Sequence, residues 1–390
     1  MAADHDWPMV KLGDVCTSVD RWRKDDDLDW QYIDISSIES ESKSIVGPST
    51  ITSTTAPSRA TTVTQAGDVL VSTVRPNLNA VAAVPVSLSP SIASSGLSVL
   101  RTDPKIADSR YLFHVVQTPG FIQRACDLAT GASYPAVSDS KIRTIQIPVP
   151  PLSEQRRIAK ILDTAQLASK KADRSLQLYE DLAAQMVQSA IAFREGTAKL
   201  SDLADLTGGL ALSRKRAELP LQVPYLRVAN VFRNHIDFTE LKALGCTERE
   251  LDRTSLQAGD ILMTEAHGNV EEVGRAARLT SEVESLTYQN HLFRVRSKGS
   301  VPSLVLSYLI NSEPVRRQLR MVANTTSGLN TISISKARDL TIPVLNRHDQ
   351  QDLLRQLELV EEKKRRALDK AHKLEELHAS LSARAFAGTL

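Results

Sequence analysis

Gln65-Ala66-Gly67-Asp68-Val69-Leu70 and Gln257-Ala258-Gly259-Asp260-Ile261-Leu262 are almost one hexapeptide written twice, 192 residues apart. In each, a Gly-Asp turn opens an apolar run, as expected for a strand entered through a tight turn. The match extends outward in both directions and keeps its order. Upstream, Lys11-Leu12-Gly13-Asp14-Val15 recurs as Lys199-Leu200-Ser201-Asp202-Leu203, and Gln31-Tyr32-Ile33-Asp34-Ile35-Ser36-Ser37-Ile38 answers Pro224-Tyr225-Leu226-Arg227-Val228-Ala229-Asn230-Val231. Downstream, Val137-Ser138-Asp139-Ser140-Lys141 matches Ile332-Ser333-Ile334-Ser335-Lys336. Ordered similarity at a nearly constant offset is an internal repeat, a unit of roughly 190 residues present twice.

Each copy ends in a long helix. Leu152 to Glu195 and Asn346 to Ala387 contain no Gly or Pro, and both runs far exceed the mean helix of about 11–12 residues. A strand-like piece with proline precedes each: Ile145-Gln146-Ile147-Pro148-Val149 and Leu340-Thr341-Ile342-Pro343-Val344. Ser153 is expected to cap the first helix with Glu154 near its positive end, and Asn346 with Asp349 resembles a capping box on the second. Seven-residue apolar spacing predicts coiled-coil pairing. In the first helix Leu162, Leu176, Ala183 and Ala190 run beside Ala165, Ala172, Tyr179, Met186 and Phe193. In the second, Leu353, Val360, Ala367, Leu374 and Leu381 form a stripe flanked by Leu357, Ala371 and Ala385. Glu361 with Arg365 and Glu362 with Arg366 have the favourable acid-first order. Such balanced charge is usually a solvated helix face.

The blocks before the helices have strand-and-loop texture, with one short helix expected near the end of each. The predicted fold is therefore α+β: similar mixed domains over 1–151 and 197–345, separated by two long antiparallel coiled-coil helices over 152–196 and 346–390, with pseudo-twofold internal repetition. A helix of roughly 35 residues spans about 50 Å, long enough to act as a spacer.

Composition narrows the function classes. A hydrophobic fraction of 42% with 24% charged residues excludes global disorder. Lys and Arg total 48 against 46 Asp and Glu, and this balance neither requires nor forbids a polyanionic partner. Cys16, Cys126 and Cys246 have neither disulfide-framework nor zinc-ligand spacing, so a reducing cytoplasm is expected. There is no apolar run of about 18 residues, so no membrane span is expected. Met1 to Val10 carries Asp4, His5 and Asp6 without an apolar core, so no signal peptide is expected. Phosphate-loop, dinucleotide, HExxH and GxSxG motifs are missing, as is the Asp/Asn-Pro-Pro-aromatic tetrapeptide of amino-methyltransferases. The eight histidines have no paired metal spacing. No catalytic or metal-ligating residues are assigned, and the two Gly-Asp pairs are read as turns.

Binding is better supported. Each Gly-Asp strand leads into a polar loop, Ser72-Thr73-Val74-Arg75-Pro76-Asn77-Leu78-Asn79 and Thr264-Glu265-Ala266-His267-Gly268-Asn269, and these loops differ while their frames agree. Arg suits guanine O6/N7 and Asn suits adenine N6/N7. An ordinary loop whose polar groups cap the backbone explains the same residues. Arg21-Trp22-Arg23-Lys24, Arg214-Lys215-Arg216 and Arg316-Arg317 could touch phosphates or be solvated surface. Thr130-Gly131-Ala132-Ser133-Tyr134 and Thr326-Ser327-Gly328-Leu329-Asn330 could hold a phosphate or form tight turns.

The whole arrangement resembles the specificity subunits of type I restriction–modification systems. The resemblance rests on the repeated Gly-Asp-Val/Ile-Leu strand, on Ile147-Pro148-Val149-Pro150-Pro151-Leu152-Ser153-Glu154-Gln155, and on Gln289-Asn290-His291-Leu292-Phe293-Arg294-Val295. The second copy departs from the helix-opening motif, reading Ile342-Pro343-Val344-Leu345-Asn346-Arg347-His348-Asp349-Gln350-Gln351. The resemblance implies two target recognition domains that read the halves of a bipartite, asymmetric site in double-stranded DNA. It implies as partners two modification methyltransferase subunits and a restriction endonuclease/translocase, with no membrane involved. S-adenosylmethionine, ATP and Mg would sit on those partners, and this chain would carry no cofactor. On this basis Arg75, Asn77, Asn79, His267 and Asn269 are assigned to base reading, and Lys141 and Lys336 to backbone contacts. Leu162, Leu176, Tyr179, Met186, Leu353, Val360, Leu374 and Leu381 are assigned to the helical partner interface. The alternatives are a coiled-coil scaffold with duplicated protein-binding domains, or a specificity subunit of another restriction–modification type.

Overall fold

The computed structural model describes residues 7–24, 28–131, 134–192, 196–281, 285–326 and 328–390. Met1, Asp4, His5, Asp6, Ala132, Ser133, Phe193, Glu195 and Ser327, named above, lie outside them. The chain divides into two compact units, Met1–Arg174 with Leu368–Leu390, and Ser175–Ala367. Each unit is described by itself.

In the first unit the Gly-Asp strand Val69–Ser72 lies between Leu97–Thr102 and Val81–Ala83, with Cys16–Thr17 on the outer edge, all antiparallel. Its residues are all buried. Alternation divides them: Val69 and Val71 join one hydrophobic cluster and Leu70 another. A strand covered on both faces needs continuous apolar residues, which is why the run lacks the usual polar alternation. A second sheet runs Ser49–Ile51, Trp30–Ile33, Ser91–Ser94, Ala60–Thr64, with its middle pair parallel. The second unit repeats this plan. Ile261–Thr264 lies between Leu292–Ser297 and Ala276–Arg278, and Ile261 and Met263 enter one cluster while Leu262 enters another. Leu221–Leu226 again has a parallel neighbour, Thr287–Tyr288.

Two further repeated pieces pair with one another. Lys11 sits opposite Gln146 and Lys199 opposite Thr341, so the start of each copy forms an antiparallel ribbon with its prolyl strand. The blocks hold more helix than expected: Ser109–Val115, Pro119–Asp127 and Asp139–Ile142 in the first, and Leu200–Leu203, Glu248–Thr254, Ser303–Ile310, Glu313–Val322 and Ile334–Arg338 in the second. These helices are short and lie among turn residues, so periodicity within them is weak.

The long helices span Leu152–Ala192 and Arg347–Phe386. In the first unit, Arg157 donates to the Leu390 carbonyl at 2.9 Å, while His114 touches both Asp163 and the His378 ring. In the second, Leu182, Met186 and Ala190 line a groove with Asp349, Leu353 and Gln356. Within each unit the helical segments therefore run antiparallel. Ser153 is not the cap, because the helix already begins at Leu152 and the Pro151 carbonyl accepts from the amides of Glu154 and Gln155. Asn346 does cap the second helix, its Oδ1 accepting the Asp349 amide at 2.8 Å. Glu362 pairs with Arg366 as expected, whereas Glu361 takes Lys364 at 3.2 Å and the Tyr308 hydroxyl.

The stripe residues are used inside the units. Leu162 is fully buried in the first core, and Leu353 and Val360 in the second, where Tyr179 and Met186 pack against them. Leu381 packs on the first core, and Leu176 and Leu374 are half-buried. Leu162, Leu353 and Val360 are therefore committed to these cores, where in each unit stripe residues of both long helices pack together with the sheet domain. Outward-facing apolar residues on the helices include Leu167, Leu178, Leu182, Leu359, Leu368 and Leu377.

Candidate nucleic-acid interface

Gly67 and Gly259 have φ of +88° and +94°, a region that L side chains rarely adopt, so glycine is required there. The following aspartates are nearly inaccessible at 2% and 1% exposed. Asp68 Oδ2 accepts the Gln65 amide at 2.8 Å, and Arg101 grips the carboxylate through Nε (2.9 Å) and Nη2 (2.8 Å). Asp260 accepts the Gln257 amide and takes Arg296 through Nε (2.6 Å) and Nη2 (2.7 Å). The Gly-Asp pair is thus a turn locked by a bidentate ion pair, as the turn reading expected.

From this anchor each strand delivers its polar loop to the loop preceding the Ser-Lys helix. Val137 N donates to Thr73 O at 2.8 Å, and Ile332 N to Glu265 O at 3.0 Å. Beyond that, Val74 bridges Ala136, which also bridges Thr130; in the second copy Ala266–His267 pairs with Leu329–Thr331, which pairs with Asn324–Thr326. In each unit the polar loop thus lies beside the described residues of the Ser/Gly loop.

The assigned residues differ in their freedom. Arg75 has φ +50° and an exposed side chain whose guanidinium lies 4.6 Å from the Tyr134 ring centroid. Asn77 is exposed on the turn Pro76–Leu78. Asn79 is half-buried: its side-chain amide reaches Gln117 O at 3.4 Å and its backbone carbonyl accepts Lys43 Nζ, an ammonium whose pKa burial lowers. Asn79 closes the loop base. His267 Nδ1 accepts from the Asn269 amide at 3.0 Å, and Asn269 Oδ1 in turn accepts from Glu271 N at 3.0 Å. Asn269 is committed to capping, and His267 Nδ1 also lies 3.3 Å from the Asn269 carbonyl. Lys141 Nζ donates to Leu128 O at 3.2 Å and Lys336 Nζ to Val322 O at 2.7 Å. Both ammonium groups therefore meet the negative end of a preceding helix, a favourable placement for a cation.

Of the basic stretches, Arg316 is buried and bonded to the Val273 and Glu271 carbonyls; burial, with Arg233 nearby, lowers its pKa to about 10. Arg216 pairs with Glu250 at 2.9 Å, and Lys24 donates to Pro57 O. Arg21, Arg23, Arg214, Lys215 and Arg317 are exposed. Sequence reasoning passed over Arg101 and Arg296, although both end the strand beside the Gly-Asp strand at matched positions. Gln155, quoted above only as part of the helix-opening motif, is buried and bonds Pro150 O, Ile106 O and the Asp108 amide. Gln350 donates to Leu345 O at 2.8 Å, so the second copy keeps part of the helix-opening motif that its sequence appeared to lose.

The two units thus share a duplicated frame that presents unlike polar loops. Residues 4–176 match the family model for the type I restriction modification DNA specificity domain. The chain is 28% identical over 323 residues to the type I restriction enzyme EcoKI specificity subunit of Escherichia coli (strain K12), covering 75% of this chain and 68% of that protein. It is 24% identical over 319 residues to the StySPI specificity subunit of Salmonella potsdam, covering 73% and 66%. Two solved chains share the fold. One comes from a type I R-M system described for its complex assembly and conformational transition (TM-score 0.56, 23% identity, 98% of each chain). The other is the type I restriction-modification S subunit from M. genitalium (TM-score 0.60, 11% identity, 99% and 98%). By these matches the chain is similar to the type I restriction–modification specificity subunits, and residues 4–176 carry the match to the DNA specificity domain.

Proposed function

We propose that the chain reads a bipartite, asymmetric DNA target, using residues 1–151 for one half and 197–345 for the other, while 152–196 and 346–390 set the spacer and seat partner subunits. The observation that carries this is the pair of loop surfaces, built on matching backbone bonds yet lined by different side chains. One frame with two chemistries is what two unlike half-sites require. The chain supplies recognition; adenine methylation and cleavage belong to methyltransferase and endonuclease partners that hold S-adenosylmethionine, ATP and Mg. A net charge of +2 is compatible with DNA binding when partners contribute positive potential.

The test is competition binding by the chain assembled with its methyltransferase, across a salt series. Affinity should fall steeply with salt while the preference for a DNA carrying both half-sites persists. Binding that ignores both half-sites would overturn the reading in favour of a protein-binding scaffold.

A further inference from the structure

Resting on the reading above, we infer that Arg75 with Tyr134, and His267 with Leu329, are the equivalent specificity-determining pairs of the two domains. The equivalence comes from strand register. Val74 bridges Ala136 as Ala266 pairs with Thr331. One residue outward, the Arg75 amide donates to Pro135 O at 2.7 Å, where the second copy pairs His267 with Asn330. The next residue on the returning strand is Tyr134 in one copy and Leu329 in the other, 70% and 50% exposed. Up to this point the two frames share their backbone bonds, turn glycine and buried ion pair. These are the first positions where both side chains leave the frame and differ in chemistry.

Each pair matches a feature of base edges. The Tyr134 ring beneath the Arg75 guanidinium restrains the long side chain, so less freedom is lost when its fork pairs with guanine O6 and N7. In the second domain His267 Nδ1 lies 3.0 Å from the Asn269 amide and 3.3 Å from the Asn269 carbonyl; accepting from the nearer amide favours the proton on Nε2, from which the ring would donate to a purine N7. Leu329 beside it offers an apolar contact suited to a thymine methyl. The first pair thus favours guanine, and the second a purine acceptor next to thymine.

The experiment exchanges the pairs. The chain carrying R75H and Y134L, or H267R and L329Y, is co-expressed with the partner methyltransferase, and methylated motifs are mapped in the host genome. Each double variant should change the preference at a base pair of one half-site by about tenfold or more, leaving the other half as in the wild type. Unaltered motifs in both variants would overturn the inference, as would an equal loss at every site. Should a double variant fail to fold by circular dichroism, Arg75→Lys and Leu329→Ala apply the same criterion with smaller changes. A wild-type complex that yields no bipartite motif would sink the DNA-reading function itself, whereas a wild-type motif insensitive to all these variants sinks only the pairs.

Discussion

Arg101 closes on Asp68 with Nε and Nη2 at 2.9 and 2.8 Å from the two carboxylate oxygens, joining the strand beside the Gly-Asp strand to the turn that starts it. The carboxylate is 2% exposed, so removing the arginine leaves a buried charge without its partner. That makes the pair costly to break from one side, whatever its net contribution when intact.

Arg101→Met is therefore expected to destabilise the first unit by about 3–5 kcal/mol. Arg101→Met with Asp68→Leu should recover part of the loss, because no buried charge remains. Urea unfolding of the single and double variants checks this; equal losses would show that the Asp68 contact with the Gln65 amide matters more than the ion pair.

Gln155 ties the start of the central helix to the loop before Ser109–Val115 through three hydrogen bonds. Gln155→Leu strands buried backbone groups at roughly 1–3 kcal/mol each. Gln350 makes one comparable bond, to Leu345 O, so Gln350→Leu should cost less in the same unfolding measurement.

Asp163 gives a pH signature. Burial raises its carboxyl pKa, but hydrogen bonds from His114 and Arg110 outweigh burial and bring it down to about 2. A depressed folded value means the stabilisation is complete above the unfolded pKa of about 3.9 and is lost as pH falls towards 2. The side chain is about a third exposed, so solvent screening limits the effect to about 1 kcal/mol. The wild type should lose this increment between pH 4 and 2 relative to Asp163→Asn, measured by chemical unfolding at each pH.

Lys336→Met should lower stability by about 1 kcal/mol through loss of the bond to Val322 O, with no change in the salt dependence of DNA binding. A salt slope reduced by about one would instead make Lys336 a phosphate contact.

The repeat and the long helices were legible because they rest on local chemistry: a turn that needs glycine at 67 and 259, and runs free of Gly and Pro. The fate of particular side chains was not. Lys141 and Lys336 read as cations facing DNA, and nothing local in the sequence announces the Leu128 and Val322 carbonyls to which folding brings them. Leu162, Leu353 and Val360 show heptad spacing, but spacing cannot say whether a stripe meets a partner or the helix's own domain. Arg101 and Arg296 repeat faithfully, yet nothing local to either names the aspartate it meets. Tyr134 and Leu329 gain meaning only from strand register.

The helices also predict a length rule. Four residues added to each at matching heights lengthen a helix by about 6 Å, roughly two base pairs of duplex, and the tolerated spacer should grow accordingly. An unchanged spacer would remove the helices from the role of ruler.

The central claim is tested most directly by mapping adenine methylation across the source genome with this gene present and deleted. Loss, on deletion, of methylation at one asymmetric motif of two specified segments around a fixed unspecified spacer is the predicted result. An unchanged methylation map, or loss of a single continuous motif, would contradict the account.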